Sequence, residues 1–114
     1  MIFMKEITVL PKIYDLILWI TPKLDLFPKK YKFLIGDKIL ANLITIIELI
    51  IEAKYSREKI STLYKINVEI EKARYLIRLA KDLQCIAIKD YEYISLQINE
   101  AGKMIGGWIK NSKK

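Results

Sequence analysis

The feature that most constrains this chain is a set of apolar residues that step by three and four. Leu63, Ile66, Ile70, Ala73, Ile77, Ala80 and Gln84 recur at those spacings, which aligns them along one stripe of an α-helix. The stripe is apolar except at its last position, as the core seam of a helical bundle would be. Tyr91, Ile94, Ile98, Ala101, Ile105 and Trp108 repeat the pattern further along. Glycine and proline fall at the edges of these runs. Pro11 opens a helical pattern, Pro22 lies late in it, and Leu26-Phe27-Pro28-Lys29-Lys30 breaks one helix and starts the next. Ser56-Arg57-Glu58-Lys59 offers a hydroxyl N-cap with an acidic first turn, and Asp90 is a candidate N-cap for a last helix. Four helices are predicted, over roughly 11–26, 29–55, 57–86 and 91–110, in one domain spanning 1–114. Loops this short make neighbours antiparallel, so the expected fold is all-α, an elongated up-and-down four-helix bundle.

A second stripe on the third helix needs its own cover. Tyr64, Val68, Tyr75, Leu79 and Ile86 recur at four and seven, well around the helix from the core stripe. In the second helix Asp37, Lys38, Thr45, Glu48 and Glu52 crowd one sector and leave apolar side chains over more than half the circumference. Either these are central helices with broad packed faces, or the surplus is a subunit interface; its presence on two helices favours the interface. Composition points the same way. The chain is 53% hydrophobic over 114 residues, and a domain of this length leaves roughly a third of its unfolded surface exposed. That hydrophobicity excludes a disordered tail.

Many chemistries are absent. There is no histidine and a single cysteine, Cys85, so Ser-His-Asp and Cys-His pairs, imidazole metal sites and an internal disulfide are excluded. Cys85 sits among Leu83, Ile86 and Ala87 and reads as a small buried hydrophobe. The carboxylates Glu48 and Glu52, and Glu69 with Glu71, have no ligand partners at metal spacing, and single glycines at 36 and 102 make no phosphate loop. No enzyme activity, cofactor or metal is expected. The start, MIFMKEITVL, is broken by Lys5 and Glu6 and does not read as a signal peptide. Residues 34–51 carry Asp37, Lys38, Asn42 and Glu48, too polar for a membrane span. A cytoplasmic protein is the expectation.

Charge is the positive clue. Lys+Arg number 20 against Asp+Glu 13, a net +7, which favours polyanionic partners. Arg74, Arg78 and Lys81 share one sector of the third helix, flanking both apolar stripes, where each could meet a phosphate and the arginines could do so bidentately. Lys29, Lys30 and Lys32 cluster at the start of the second helix, where they oppose the helix dipole. The plain alternative for each cluster is a solvated charged face. No zinc knuckle, helix-turn-helix or RNP-like aromatic pattern accompanies them, so any nucleic-acid contact should be electrostatic and weakly sequence-specific. Gly106-Gly107 costs roughly 2 kcal/mol relative to two alanines inside a helix. The pair either ends the helix or admits a close neighbour, with Trp108 anchoring the chain end.

An ordered set of segments carries a resemblance. Tyr14-Asp15-Leu16-Ile17-Leu18-Trp19 comes first, then Phe27-Pro28-Lys29, Leu34-Ile35-Gly36-Asp37-Lys38-Ile39 and Ile51-Glu52-Ala53. After these come Arg74-Tyr75-Leu76-Ile77-Arg78-Leu79-Ala80-Lys81-Asp82-Leu83 and the closing Asn99-Glu100-Ala101-Gly102-Lys103-Met104-Ile105-Gly106-Gly107-Trp108-Ile109-Lys110. Over residues 14–110 the chain resembles the accessory variability determinant (Avd) proteins of diversity-generating retroelements. These lie within a wider four-helix-bundle group that includes proteins encoded in 23S rRNA intervening sequences. The resemblance implies a non-enzymatic subunit that forms a homopentamer, binds a reverse transcriptase and its template RNA, and supports mutagenic cDNA synthesis. It would place Arg74 and Arg78 at the family's paired-arginine positions. The other reading is a stand-alone oligomeric scaffold of the intervening-sequence type without a nucleic-acid role.

Overall fold

A computed structural model describes residues 2–113, with side chains from residue 8 onward. Helix α1 is Ile2–Leu24. Helix α2 opens with one turn at Lys29–Tyr31, passes through a π-helical stretch, Lys32–Gly36, and continues as Asp37–Tyr55. Helix α3 is Lys59–Asp82 and α4 is Ile88–Ser112. They pack in chain order around a square, α1 on α2, α2 on α3, α3 on α4 and α4 back on α1. The result is an antiparallel four-helix bundle of 47 × 22 × 20 Å, the expected fold class and shape.

The core is the stripe read from the sequence. Leu63, Ile66, Ile70, Ala73, Ile77 and Ala80 are all buried, and they meet Ile39, Leu43, Ile46 and Ile50 from α2. Val9, Ile13, Leu16 and Ile20 close the core from α1, and Ile94, Ile98, Ala101, Ile105 and Trp108 from α4. Each buried branched residue contributes about 1.5–3 kcal/mol of transfer energy, so the register of these stripes sets how the helices lie.

Helix ends differ from the pattern-based boundaries. α1 does not open at Pro11; it runs through Pro11 and Pro22. A helical proline costs about 3 kcal/mol, but both rings sit on the exposed side, where water reaches the carbonyls they release. Continuing the helix also buries Val9 completely. α3 stops at Asp82 rather than reaching 86. Gln84 adopts φ 61, its N–H donates to Lys81 O at 2.9 Å and that of Cys85 to Ala80 O at 2.8 Å, a Schellman stop. Gln84 is therefore a left-handed, exposed cap residue and not the polar end of the core stripe. Ser56 does not cap α3 directly: its Oγ accepts the Glu58 N–H at 3.1 Å, one step before the helix starts. Lys59 instead caps the preceding helix, donating to Ala53 O and Lys54 O at 2.9 Å each. α4 begins at Ile88, which puts Asp90 inside its first turn, 3.3 Å from Lys23 Nζ.

Candidate polyanion and assembly surfaces

Arg74, Arg78 and Lys81 come together on the flank of α3 that faces α4, but each already has a partner. Arg74 Nε donates to Asn99 Oδ1 at 3.0 Å and Nη1 to Glu71 Oε1 at 2.7 Å. A Cβ at Gly102 would stand 3.0 Å from Nη2, so the missing side chain is what lets the guanidinium lie across α4. Arg78 Nε is 3.9 Å from Asp82 Oδ2, and its side chain is 61% exposed. Lys81 Nζ is 3.3 Å from Asp82 Oδ1 and 4.6 Å from the centroid of the Tyr91 ring. Glu71, Arg74, Tyr75, Arg78 and Tyr91 line a shallow cleft of about 230 Å³. It presents two guanidinium groups between two phenol rings, a setting able to hold a phosphate or carboxylate. Three cations meet two carboxylates here, which leaves one net positive charge and guanidinium N–H groups open to an incoming anion.

The second cluster lies at the same pole. Antiparallel packing places the start of α2 beside the end of α3, so Lys29, Lys30 and Lys32 share a bundle end with Arg78 and Lys81. Lys29 and Lys30 are exposed, and Lys30 Nζ lies 5.0 Å from the centroid of the Tyr31 ring. Lys32 Nζ is 3.7 Å from Asp25 Oδ1. Lys23 joins this end, 4.6 Å from the centroid of the Trp19 ring. The opposite pole is also cationic, and pattern reading missed it. There the α2–α3 loop meets the end of α4, where Arg57, Lys59, Asn111 and Ser112 line one depression together with the carboxylate-bearing Glu58. Lys54, Lys110 and Lys113 stand on the helix ends there, with Lys113 Nζ 5.7 Å from the centroid of the Tyr64 ring. Along the middle of the bundle charges pair off, as in Lys12–Glu100 at 2.7 Å and Lys72–Glu69 at 3.0 Å.

Tyr64, Val68, Tyr75 and Leu79 are exposed along the outer side of α3. Ile86 is not on that helix face; beyond the Schellman stop it folds back, half-buried, against the core. Beside the stripe, a groove of about 540 Å³ runs between α2 and α3, lined by Lys38, Ala41, Thr45, Lys72, Tyr75 and Leu79 among others. Asn42, also part of its lining, is 7% exposed. Its Nδ2 donates to Glu69 O at 2.9 Å and Glu69 Oε1 at 3.0 Å, while its buried Oδ1 has no partner. The residue showed in the sequence only as an interruption of an apolar run. Ile44 and Ile51 are exposed on α2, in keeping with the broad apolar sector expected there.

The chain's end resolves the glycine question. α4 continues through Gly106-Gly107 to Ser112, and Trp108 is fully buried. Gly106 faces open space, with nothing within 4 Å of a Cβ placed there. The anchor is therefore the indole, and the helix does not end at the pair. The bAvd-like family model matches residues 7–112 of this bundle. The chain belongs to the bAvd-like family. No curated protein matches it. The matched span covers both arginines of the cleft, the buried Trp108 and the lysines at the start of α2, and it agrees with the resemblance carried by the sequence segments.

As a bAvd-like protein, the chain belongs to a family of accessory proteins. No group of three or more metal-ligating side chains occurs among its described residues, and no described helix is long and apolar enough to cross a membrane. Cys85 is a half-buried free thiol whose pKa is raised by desolvation, the opposite of an activated nucleophile.

Proposed function

We propose that this bAvd-like chain is an accessory subunit of a diversity-generating retroelement. It binds the element's reverse transcriptase and template RNA in the cytoplasm, assembles as a homopentamer, and supports mutagenic cDNA synthesis without catalysing a step itself. The observation that carries the nucleic-acid part is the cationic pole, where Lys29, Lys30 and Lys32 from α2 stand at the same bundle end as Arg78 and Lys81 from α3. Cations on separate rigid helices can meet successive phosphates without ordering a loop, which favours electrostatic, weakly sequence-specific contact. The exposed apolar side chains on α2 and α3 support self-association.

Arg78 is the cleaner probe of the two arginines, because Arg74 also ties α3 to Asn99 of α4. Arg78→Ala should weaken RNA binding and lower the slope of log K against log salt by about 0.7, the single-strand value for one phosphate contact. Helicity and oligomer mass should be unchanged. An unaltered slope and affinity would remove Arg78 from the interface. Co-purification with the polymerase, compared between wild type and the same variant, tests the protein partner separately.

A further inference from the structure

Arg74 and Arg78 stand one turn apart on α3, yet their donors are in different states. Arg74 Nε donates to Asn99 Oδ1 at 3.0 Å and Nη1 to Glu71 Oε1 at 2.7 Å, while Nη2 abuts α4 at Gly102. Hydrogen bonds from a guanidinium lie in its plane. The edge of the Arg74 group is therefore occupied, while its side chain is still 41% exposed, which leaves a face for stacking. Arg78 is the reverse case. Its neighbouring acid, Asp82, is 3.9 Å from Nε, beyond hydrogen-bond reach, so its N–H groups are open to an acceptor.

The rest of the cleft is graded in the same direction. Glu71 stands at one end and Arg78 at the other, about 10 Å apart along α3, with Arg74 and Tyr75 between them and Tyr91 of α4 closing the cleft. A phosphate or carboxylate at the Glu71 end would meet a like charge, whereas an N–H donor there would be accepted. Every nucleobase carries such a donor on its pairing edge, and carboxylates accept from it. At about 230 Å³ the cleft is smaller than the roughly 300–1,000 Å³ pockets that enclose drug-sized molecules. It admits one small planar group. We propose that this cleft holds one unpaired base of a single strand, stacked on the Arg74 guanidinium between Tyr75 and Tyr91, with an adjoining phosphate on Arg78. This rests on the RNA-binding reading above and names the part of the RNA that is recognised. Bases in a duplex are already stacked and their pairing edges spent, so the cleft takes single-stranded segments only. Arg74 is a stacking platform and not a phosphate contact. Because every base has a π-face, the site selects strandedness and not sequence.

Fluorescence anisotropy of the full chain with a labelled RNA oligonucleotide, single-stranded or annealed to its complement, tests this across a salt series. Arg74→Lys keeps the charge and removes the planar platform. Tyr91→Leu removes a ring from the cleft, and Tyr91→Phe keeps it. Arg74→Lys and Tyr91→Leu should each weaken single-strand binding by about 5- to 100-fold, the worth of one stacked base, with an unchanged salt slope. Tyr91→Phe should bind as wild type, and duplex affinity should be the same in all three. Circular dichroism and light scattering check fold and mass; Tyr75→Leu, at an exposed position, replaces Tyr91→Leu if that variant unfolds. Wild-type single-strand affinity in Arg74→Lys, or equal losses for single strand and duplex, would overturn the base site and leave electrostatic RNA binding standing. Loss of polymerase co-purification with unchanged single-strand affinity would give the cleft to a protein partner and also overturn it. If wild type binds neither RNA form, the RNA-binding reading itself falls and the base site with it.

Discussion

Gly102 and Gly106 sit one turn apart on α4, and the same substitution at each should give different answers. Alanine in a helix interior is favoured over glycine by about 0.8–1 kcal/mol. At Gly106 a Cβ meets nothing within 4 Å, so Gly106→Ala should realise that gain in full, raising Tm by roughly 4–8 °C for a domain near this size. At Gly102 the Cβ would stand 3.0 Å from Arg74 Nη2. The end of an arginine ordinarily moves aside, but this one is held by Asn99 at 3.0 Å and Glu71 at 2.7 Å. Shifting it weakens at least one charge-assisted bond that is partly exposed to solvent, a loss of about 0.5–1 kcal/mol. The gain and the loss nearly cancel, so Gly102→Ala should leave Tm within about 2 °C of wild type, since 1 kcal/mol corresponds to roughly 4–8 °C. Thermal unfolding followed by circular dichroism at matched protein concentration makes the comparison, and the difference between the two variants carries the result. Equal stabilisation at both positions would refute the Arg74–Gly102 packing. Failure of Gly106→Ala to stabilise would show that its surroundings are not open in the assembled protein.

Two further substitutions address the fold directly. Gln84 holds a left-handed conformation that costs an L-residue about 1–2 kcal/mol, so Gln84→Gly should raise the denaturation midpoint by an amount worth about 1 kcal/mol, with an unchanged denaturant m-value. A loss of stability would show that the Gln84 side chain contributes more than the backbone strain costs. Trp108→Ala should lose about 3–5 kcal/mol by leaving a cavity in the core beneath the last turns of α4, read as a fall in the urea midpoint, whereas a loss under 1 kcal/mol would deny that the indole anchors α4.

Helical stripes, chain reversals and the buried Trp108 were legible along the chain because each is a local property. Spacing of three and four aligns side chains on one helix wherever that helix goes, and short loops leave little choice but antiparallel neighbours. The positions that sequence pattern misplaced all depend on what another segment does. Pro11 sits inside a helix because the solvent side can hydrate the carbonyl it releases while Val9 gains burial. Ile86 continues the arithmetic of the outer stripe, yet the backbone reverses at Gln84 two residues earlier and turns it onto the core. Arg74 reads as a cation available to a phosphate until Asn99 and Gly102, more than twenty positions away, arrive beside it.

The sequence by itself determined that four amphipathic helices would share one apolar core and that surplus apolar and cationic side chains would remain outside it. Only the tertiary structure decided how that surplus is grouped. Axial register between helices brought Lys29–Lys32 to the pole of Arg78 and gathered Lys54 and Arg57 with Lys110 at the other. Such groupings arise from contacts between helices, and a one-dimensional spacing carries no information about which residue of a neighbouring helix stands alongside.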